Sequence, residues 1–471
     1  MSSNRHWVCL VLALVVGGQA AADAPETADL IITNGHVLAM DDNRTTLETG
    51  VIVIQGSTIA AVGGNELLEH YRSEAVIDAG GDIVMPGMVN LHNHLSMVAF
   101  RGLGETNFKD RLFRVMFPLE KALLSRELIR VAARQAAMES ALSGVTTVTD
   151  MYYHEDEVAR AVSEVGIRGV LGETVIGFPV VDAAEPYGGL AYAEQFIKDW
   201  KGHRLVTPAV APHAPYTVSP EWMKKSRALA EREGVPVLMH IAEMRNEREL
   251  IAANIAPILE DRSIIEYLDD VGFLGDNLVA AHVSHVDDND IALLRQRGVG
   301  VAHNPKANSR ATSGESPAWR MLDAGVDIGL GTDGPMSSNQ MDIINVMGYA
   351  AVVARNSGEP DSRRLPPYDL VYLATMGGAR ALDMEARIGS LEAGKRADIV
   401  IIDAHAANMQ PMHDPYAMIA FAAYPGNVRT TIVDGRVVVR EGVLQTVDLE
   451  AHAAAWAAVV RRVAEFAVSL E

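Results

Sequence analysis

The stretch Pro86-Gly87-Met88-Val89-Asn90-Leu91-His92-Asn93-His94 decides how the fold is read. Its apolar run, Met88–Leu91, is bounded by Pro-Gly before and by titratable groups after, the pattern of a short buried strand. Side chains alternate along a strand, so His92 and His94 fall on the same side and can converge on one cation. An isolated His-x-His is a weak signal. Its weight comes from what recurs further along the chain.

From about Val84 to Leu382, short apolar runs alternate with longer helical patterns. Eight runs read as strands: Met88–Leu91, Val145–Thr149, Gly169–Leu171, Val206–Ala211, Val237–Met239, Leu278–Ala281, Gly298–Ala302 and Val326–Leu330. Helix-like stretches such as Ser125–Ser143, Pro220–Arg232, Asp287–Gln296 and Pro317–Ala324 lie between them. Alternation of this kind predicts an α/β fold, a (β/α)8 TIM barrel over residues 84–382, with a doubly wound sheet as the alternative on pattern alone. A barrel keeps its chemistry at the C-terminal ends of its strands. His92 and His94 follow the first strand, His213 the fourth, His240 the fifth, His282 the sixth, His303 the seventh and Asp333 the eighth. Scattered histidines have no reason to choose those places.

His240-Ile241-Ala242-Glu243 adds an imidazole and a carboxylate, and Asp333 adds an anionic oxygen. His92, His94, His240 and Asp333 give three nitrogens and one oxygen, a set that suits Zn2+ with one position left open; Fe2+ or Mn2+ also fit. Such a metal lowers the pKa of its water toward neutrality. Glu243 is then the candidate proton shuttle, His282 the group that orients or polarises, and Asp333 the acceptor of the water proton. A metal-storage protein would have no need of that catalytic set.

The chain ends have a different texture. Ile31-Ile32-Thr33-Asn34-Gly35 and Val51–Gly56 read as short strands with tight turns, as do Asp398–Asp403 and Thr431–Arg440. Residues 23–83 and 383–447 are therefore expected to build one small β-sandwich from both ends, followed by a helix over 448–471. Arg5, the apolar run Val8–Val16 and Ala20-Ala21-Ala22 predict a secretory signal peptide over residues 1–22. The mature protein is then periplasmic or secreted, without membrane association.

The chain has 471 residues, 61 acidic and 40 basic side chains, and a net charge of −21, which disfavours nucleic acid as a partner. Its one cysteine, Cys9, lies in the expected leader and excludes a disulfide framework or thiolate metal site. Gly329-Leu330-Gly331-Thr332-Asp333-Gly334 matches a dinucleotide fingerprint literally, but Pro335–Asn339 does not read as a helix. His154-Glu155 begins like a metalloprotease motif, but Val158 stands where a second histidine is needed.

Pro86–His94, Met239–Glu243, Ala281-His282, Ala302-His303-Asn304-Pro305, Gly331–Gly334 and Ile388–Asp398 together resemble the motifs of the amidohydrolase superfamily, in order and over essentially the whole mature chain. Within it the chain resembles the branch holding cytosine and guanine deaminases, triazine hydrolases and 5-methylthioadenosine/S-adenosylhomocysteine deaminases. That branch uses one metal; binuclear branches often carry a lysine on the fourth strand, and Val206–Ala211 has none. The resemblance implies one divalent metal per subunit, a small-molecule substrate and a homo-oligomer. It implies hydrolytic deamination of a heterocycle, an adenine nucleoside above all, with Glu120 and His213 contacting ribose and Arg168 and His303 as further substrate-binding candidates. Cleavage of an amide, cyclic ureide or triazine-type bond is the alternative within the superfamily, and a non-enzymatic metal- or ligand-binding protein the alternative outside it. Two departures stand out: Glu173, where nucleoside members commonly have a basic or neutral loop, and Arg310 near the mouth.

Overall fold

A computed structural model describes residues 24–105, 111–255, 262–311, 313–358 and 360–468. The expected leader over residues 1–22 lies outside the described residues.

Eight parallel strands stand in chain order around the barrel: Met88–Asn93, Val145–Tyr152, Arg168–Val175, Val206–Pro212, Val237–Ile241, Leu278–His282, Gly300–His303 and Ile328–Leu330. They are the eight read from the sequence. Several run further toward the C-terminal rim than their apolar stretches, because polar residues such as His282 and His303 continue the ladder. The lumen is filled by Val89, Leu91, Met151, Val170, Leu238 and Val279, with alanines between them, so it is a packed core and not a pore. The seam between the first and eighth strands is stapled by side chains. Asn90 Nδ2 and Asn93 Nδ2 both donate to Thr332 Oγ1, at 2.8 and 3.0 Å. Thr332 N donates to Asn90 Oδ1 at 3.0 Å, and Asp333 N to the His92 carbonyl at 3.0 Å. Barrel closure therefore brings Asp333 beside His92.

Helices cover the outside. Arg126–Leu142 shows why they form where they do: Ser125 caps it by accepting from Leu128 N at 3.2 Å, and its face with Leu128, Ile129, Ala132 and Ala136 is buried. The C-terminal helix, Leu449–Ala467, lies against it and buries Val459 and Val463, and His452 Nε2 meets Gln135 Oε1 at 2.9 Å. Among the described residues no helix is long and apolar enough to cross a membrane.

The two chain ends build one continuous nine-stranded sheet. They meet where Ile399–Ile402 pairs antiparallel with Ile83–Pro86, Ile399 opposite Pro86 and Ile402 opposite Ile83. Ile399 and Ile401 point into a core shared with Ile32, Ile52, Ile54 and Val84 from the N-terminal end. Val400 and Ile402 alternate to the other face and pack on the barrel. Burial on both faces explains the unbroken apolar run. The N-terminal part ends at Pro86, slightly beyond the boundary expected at residue 83, because Val84–Pro86 still pair within this sheet.

Arg168 belongs to this junction. It opens the third barrel strand, at the end opposite the histidines, fully buried. Its Nε and Nη2 donate to the two oxygens of Asp398, each at 3.1 Å, and Nη2 also reaches Asp434 Oδ1 at 3.4 Å. The expectation of substrate binding is corrected: this arginine ties the barrel to the β-domain.

Candidate active site

The site is built on strand ends whose backbones turn sharply. Ala242 (φ 51°), His282 (φ 76°), Val283 (φ 45°) and Asp333 (φ 61°) all adopt left-handed conformations unusual for residues with a Cβ. Such conformations persist only where the surroundings over-determine them, and here they cluster around the predicted ligands. Gly331 precedes Asp333 because nothing larger fits: a Cβ there would lie 2.2 Å from Asn304 Oδ1 and 3.0 Å from His92.

The ring nitrogens are oriented from behind. His94 Nδ1 donates to the Met151 carbonyl at 2.7 Å, and His240 Nδ1 to the His213 carbonyl at 2.8 Å. Burial keeps both rings neutral by pushing their pKa values down. With Nδ1 protonated, each ring presents a lone pair at Nε2. The two Nε2 atoms nevertheless face each other at 3.3 Å. Asp333 Oδ1 lies 3.4 Å from His94 Nε2 and 3.6 Å from His92 Nε2, and the latter nitrogen is buried without a hydrogen bond. Lone pairs crowded this way repel one another unless a cation stands among them. His92, His94 and Asp333, and likewise His92, His240 and His282, bring their donor atoms close enough to share one ion. The donor set thus fits the divalent metal expected from the sequence.

His282 Nδ1 meets Asn308 Oδ1 at 2.7 Å, which turns its Nε2 toward Glu243 Oε2, 3.9 Å away. Burial opposes charge on His282, but Glu243 and Asp333 outweigh it and raise its pKa. Burial raises the Glu243 carboxyl, with the charge of His282 pulling it partly back. Burial would also raise Asp333, but the adjacent His92 ring and the charge of His282 hold it well below the ordinary carboxylate range. One carboxyl is shifted up and the other down, a separation suited to acid–base chemistry.

These groups open onto a cavity of about 630 Å3, lined by His94, His240, Glu243, His282 and Asp333, by Glu120, His213 and Tyr152, and by apolar residues including Met97, Phe117 and Met151. Glu120 is buried, and Tyr152 donates to its Oε1 at 2.8 Å. Burial pushes the Glu120 carboxyl up to about 7, the tyrosine hydrogen bond pulling it partly back. A second, largely apolar cavity of about 610 Å3 adjoins, sharing Phe117, Glu120 and Tyr153 and walled by Leu124, Phe178, Val180 and Val181.

The structure thus gathers His92, His94, His240, His282, Asp333, Glu243, Glu120 and His213 in one place. It does not bring in Arg168. His303 is buried at the end of the seventh strand and is not part of the cavity wall. Glu173 does not face the cavity either: it accepts from Glu155 N at 3.0 Å. Arg310 pairs with Glu105 and the Ser337 carbonyl. Sequence reading missed Tyr152, Asn308 and Glu247. Only Glu247 left a trace, an acid four residues after Glu243.

The model of the amidohydrolase family matches residues 83–438. The chain belongs to the amidohydrolase family. Curated relatives of this amidohydrolase include the 5-methylthioadenosine/S-adenosylhomocysteine deaminase of Syntrophobacter fumaroxidans, 35% identical over 90% of this chain and 95% of the relative. The enzyme of that name from Symbiobacterium thermophilum is 37% identical over 87% of this chain and 93% of its own length. Among solved structures, an adenosine deaminase from Xanthomonas campestris with bound zinc superposes with a TM-score of 0.90 at 29% identity, covering 94% of this chain and 100% of that one. Atrazine chlorohydrolase from Arthrobacter aurescens, complexed with zinc, shares the fold with a TM-score of 0.82 at 23% identity, over 92% of this chain and 100% of that one.

Proposed function

We propose that this amidohydrolase removes ammonia hydrolytically from an adenine nucleoside, methylthioadenosine or S-adenosylhomocysteine being the compounds named for its relatives. The observation that carries the reading is the convergence of Glu243, His282 and Asp333 with the histidine set on a cavity that also exposes Glu120. His92, His94, His240 and Asp333 would hold one divalent ion per subunit, Zn2+ in this reading. Such an ion supplies a water acidified toward neutrality.

The chain's own residues do the rest. Asp333 takes the proton released as the water oxygen bonds to C6 of adenine, with His282 steadying the oxygen. Glu243 donates its proton to the neighbouring ring nitrogen. The C6–N6 bond breaks as the proton held by Asp333 passes to the amino group, the remaining hydroxyl proton returns to Glu243 as the C6=O bond forms, and ammonia departs. Glu120 and His213 line the same cavity, which supports a role for them in binding ribose hydroxyls, and the apolar annex offers room for a 5′ substituent. The leader pattern supports export from the cytoplasm, and the resemblance supports a homo-oligomer.

Ammonia release from a panel of adenine nucleosides, with and without added zinc, tests the reading. Zinc-dependent ammonia is expected, with Glu243→Gln and Asp333→Ala each losing at least about 100-fold in kcat. Full activity in both variants overturns the mechanism. A new amine and acid without ammonia, or chloride from a triazine, favours the other hydrolases of this fold.

A further inference from the structure

Glu247 opens the helix Glu247–Asn254 and is completely buried. Its carboxylate does not face solvent. Instead it turns back onto the preceding loop: Oε1 accepts from Ala242 N at 3.1 Å, and Oε2 accepts from Glu243 N at 2.7 Å and Met244 N at 3.2 Å. These are the N–H groups of the turn that carries Glu243, and the turn starts at a residue with φ of 51°. The same turn is tied to the His282 turn, since Val283 N donates to the Ile241 carbonyl at 3.0 Å and Ser284 N to the Ala242 carbonyl at 2.9 Å. The Glu243 and His282 turns are thus linked directly, with Glu247 holding the Glu243 side.

We infer that Glu247 is a positioning residue, whose carboxylate clamps three consecutive N–H groups so that Glu243 is held at working distance from His282 and from the substrate ring. The inference rests on the acid–base role proposed for Glu243. Three N–H donors on one carboxylate form a geometry no neutral side chain of that length reproduces. Glutamine keeps the volume but replaces one acceptor oxygen with an NH2 group that faces backbone donors. The turn then loses its clamp while the strained backbone at Ala242 remains, and Glu243 loses its fixed place.

The test compares wild type, Glu247→Gln, Glu243→Gln and the double variant. Glu247→Gln is expected to lower kcat for the deaminated nucleoside about 10–100-fold with KM within about twofold and zinc content unchanged, the signature of lost transition-state alignment. If Glu247 acts through Glu243, the double variant is no slower than Glu243→Gln alone. Amide hydrogen exchange of the segment 240–247 gives a readout independent of turnover: it should speed up in Glu247→Gln while the other strand-end segments keep their protection. Wild-type kcat in Glu247→Gln, losses that multiply in the double variant, or unchanged exchange would each overturn the inference. A wild-type enzyme that deaminates nothing sinks the proposed function instead, and the exchange result then still decides on the clamp.

Discussion

Tyr152 shows how much a single hydroxyl can contribute. It is the one side-chain donor that the described structure gives the buried Glu120 carboxyl. Removing it in Tyr152→Phe leaves Glu120 free to turn, at a cost of about 0.5–1.5 kcal/mol or roughly 2–10-fold. The loss should fall on KM for ribonucleosides and spare kcat. Steady-state kinetics on adenosine and on 2′,3′-dideoxyadenosine check this, since equal effects on both would remove Glu120 from diol binding. At this scale the sequence told much: Asp333 and five of the six histidines were legible because the apolar runs of barrel strands give way to polar residues at the C-terminal rim. Tyr152 was not, because its partner is on a different element and no spacing rule links them. Arg168 was misread although its place argued against a site role: it starts its strand, and barrel chemistry lies at the other end.

Between the second and third strands and the helix Glu155–Val165 lies a line of acids, Asp150, Glu155 and Glu173, for which the described residues show no Lys or Arg ion pair, with Asp182 beside them at 3.9 Å from His154 Nδ1. Leu95 N donates to Asp150 Oδ1 at 2.6 Å, Glu155 N to Glu173 Oε2 at 3.0 Å and His154 N to Asp182 Oδ2 at 2.6 Å. Several of their remaining oxygens are buried without partners. Burial, then the neighbouring carboxylates Asp150 and Asp182 respectively, raise Glu155 and Glu173 well above the ordinary range. The folded chain therefore keeps protons that the unfolded chain releases above about pH 4.3. Over that interval the unfolded state binds fewer protons, so stability falls as pH rises. Glu173→Gln removes one of these protons from the balance. Its urea midpoint should decline less between pH 5 and pH 8 than that of wild type, and parallel declines would refute the assignment. The sequence marked Glu173 as out of place in a substrate loop. It could not reveal the reason, which is a neighbour brought in by the turn after the third strand.

Across the whole molecule, barrel and β-domain are joined by a buried charge cluster and by strands from both chain ends. Arg168 satisfies Asp398 and Asp434 at this joint. Arg168→Met leaves two buried carboxylates short of their cation, a loss of roughly 3–5 kcal/mol in buried pairs. Chemical denaturation should register it, and a shift under about 1 kcal/mol would mean that Arg204 and Arg396, both also near Asp434, suffice. The barrel and the two-ended β-domain were legible because strand runs and turn signals are local. Their attachment was not, because it depends on which distant residues meet. That distance also governs assembly of the chain. Ile83–Pro86 finds its partner Ile399–Ile402 only after every barrel strand has been made. Until then the growing chain carries a hydrophobic strand edge open to any passing β-strand. A strand made only after the whole barrel thus covers this edge, and a chain cut short before Ile399 leaves it open however sound its barrel.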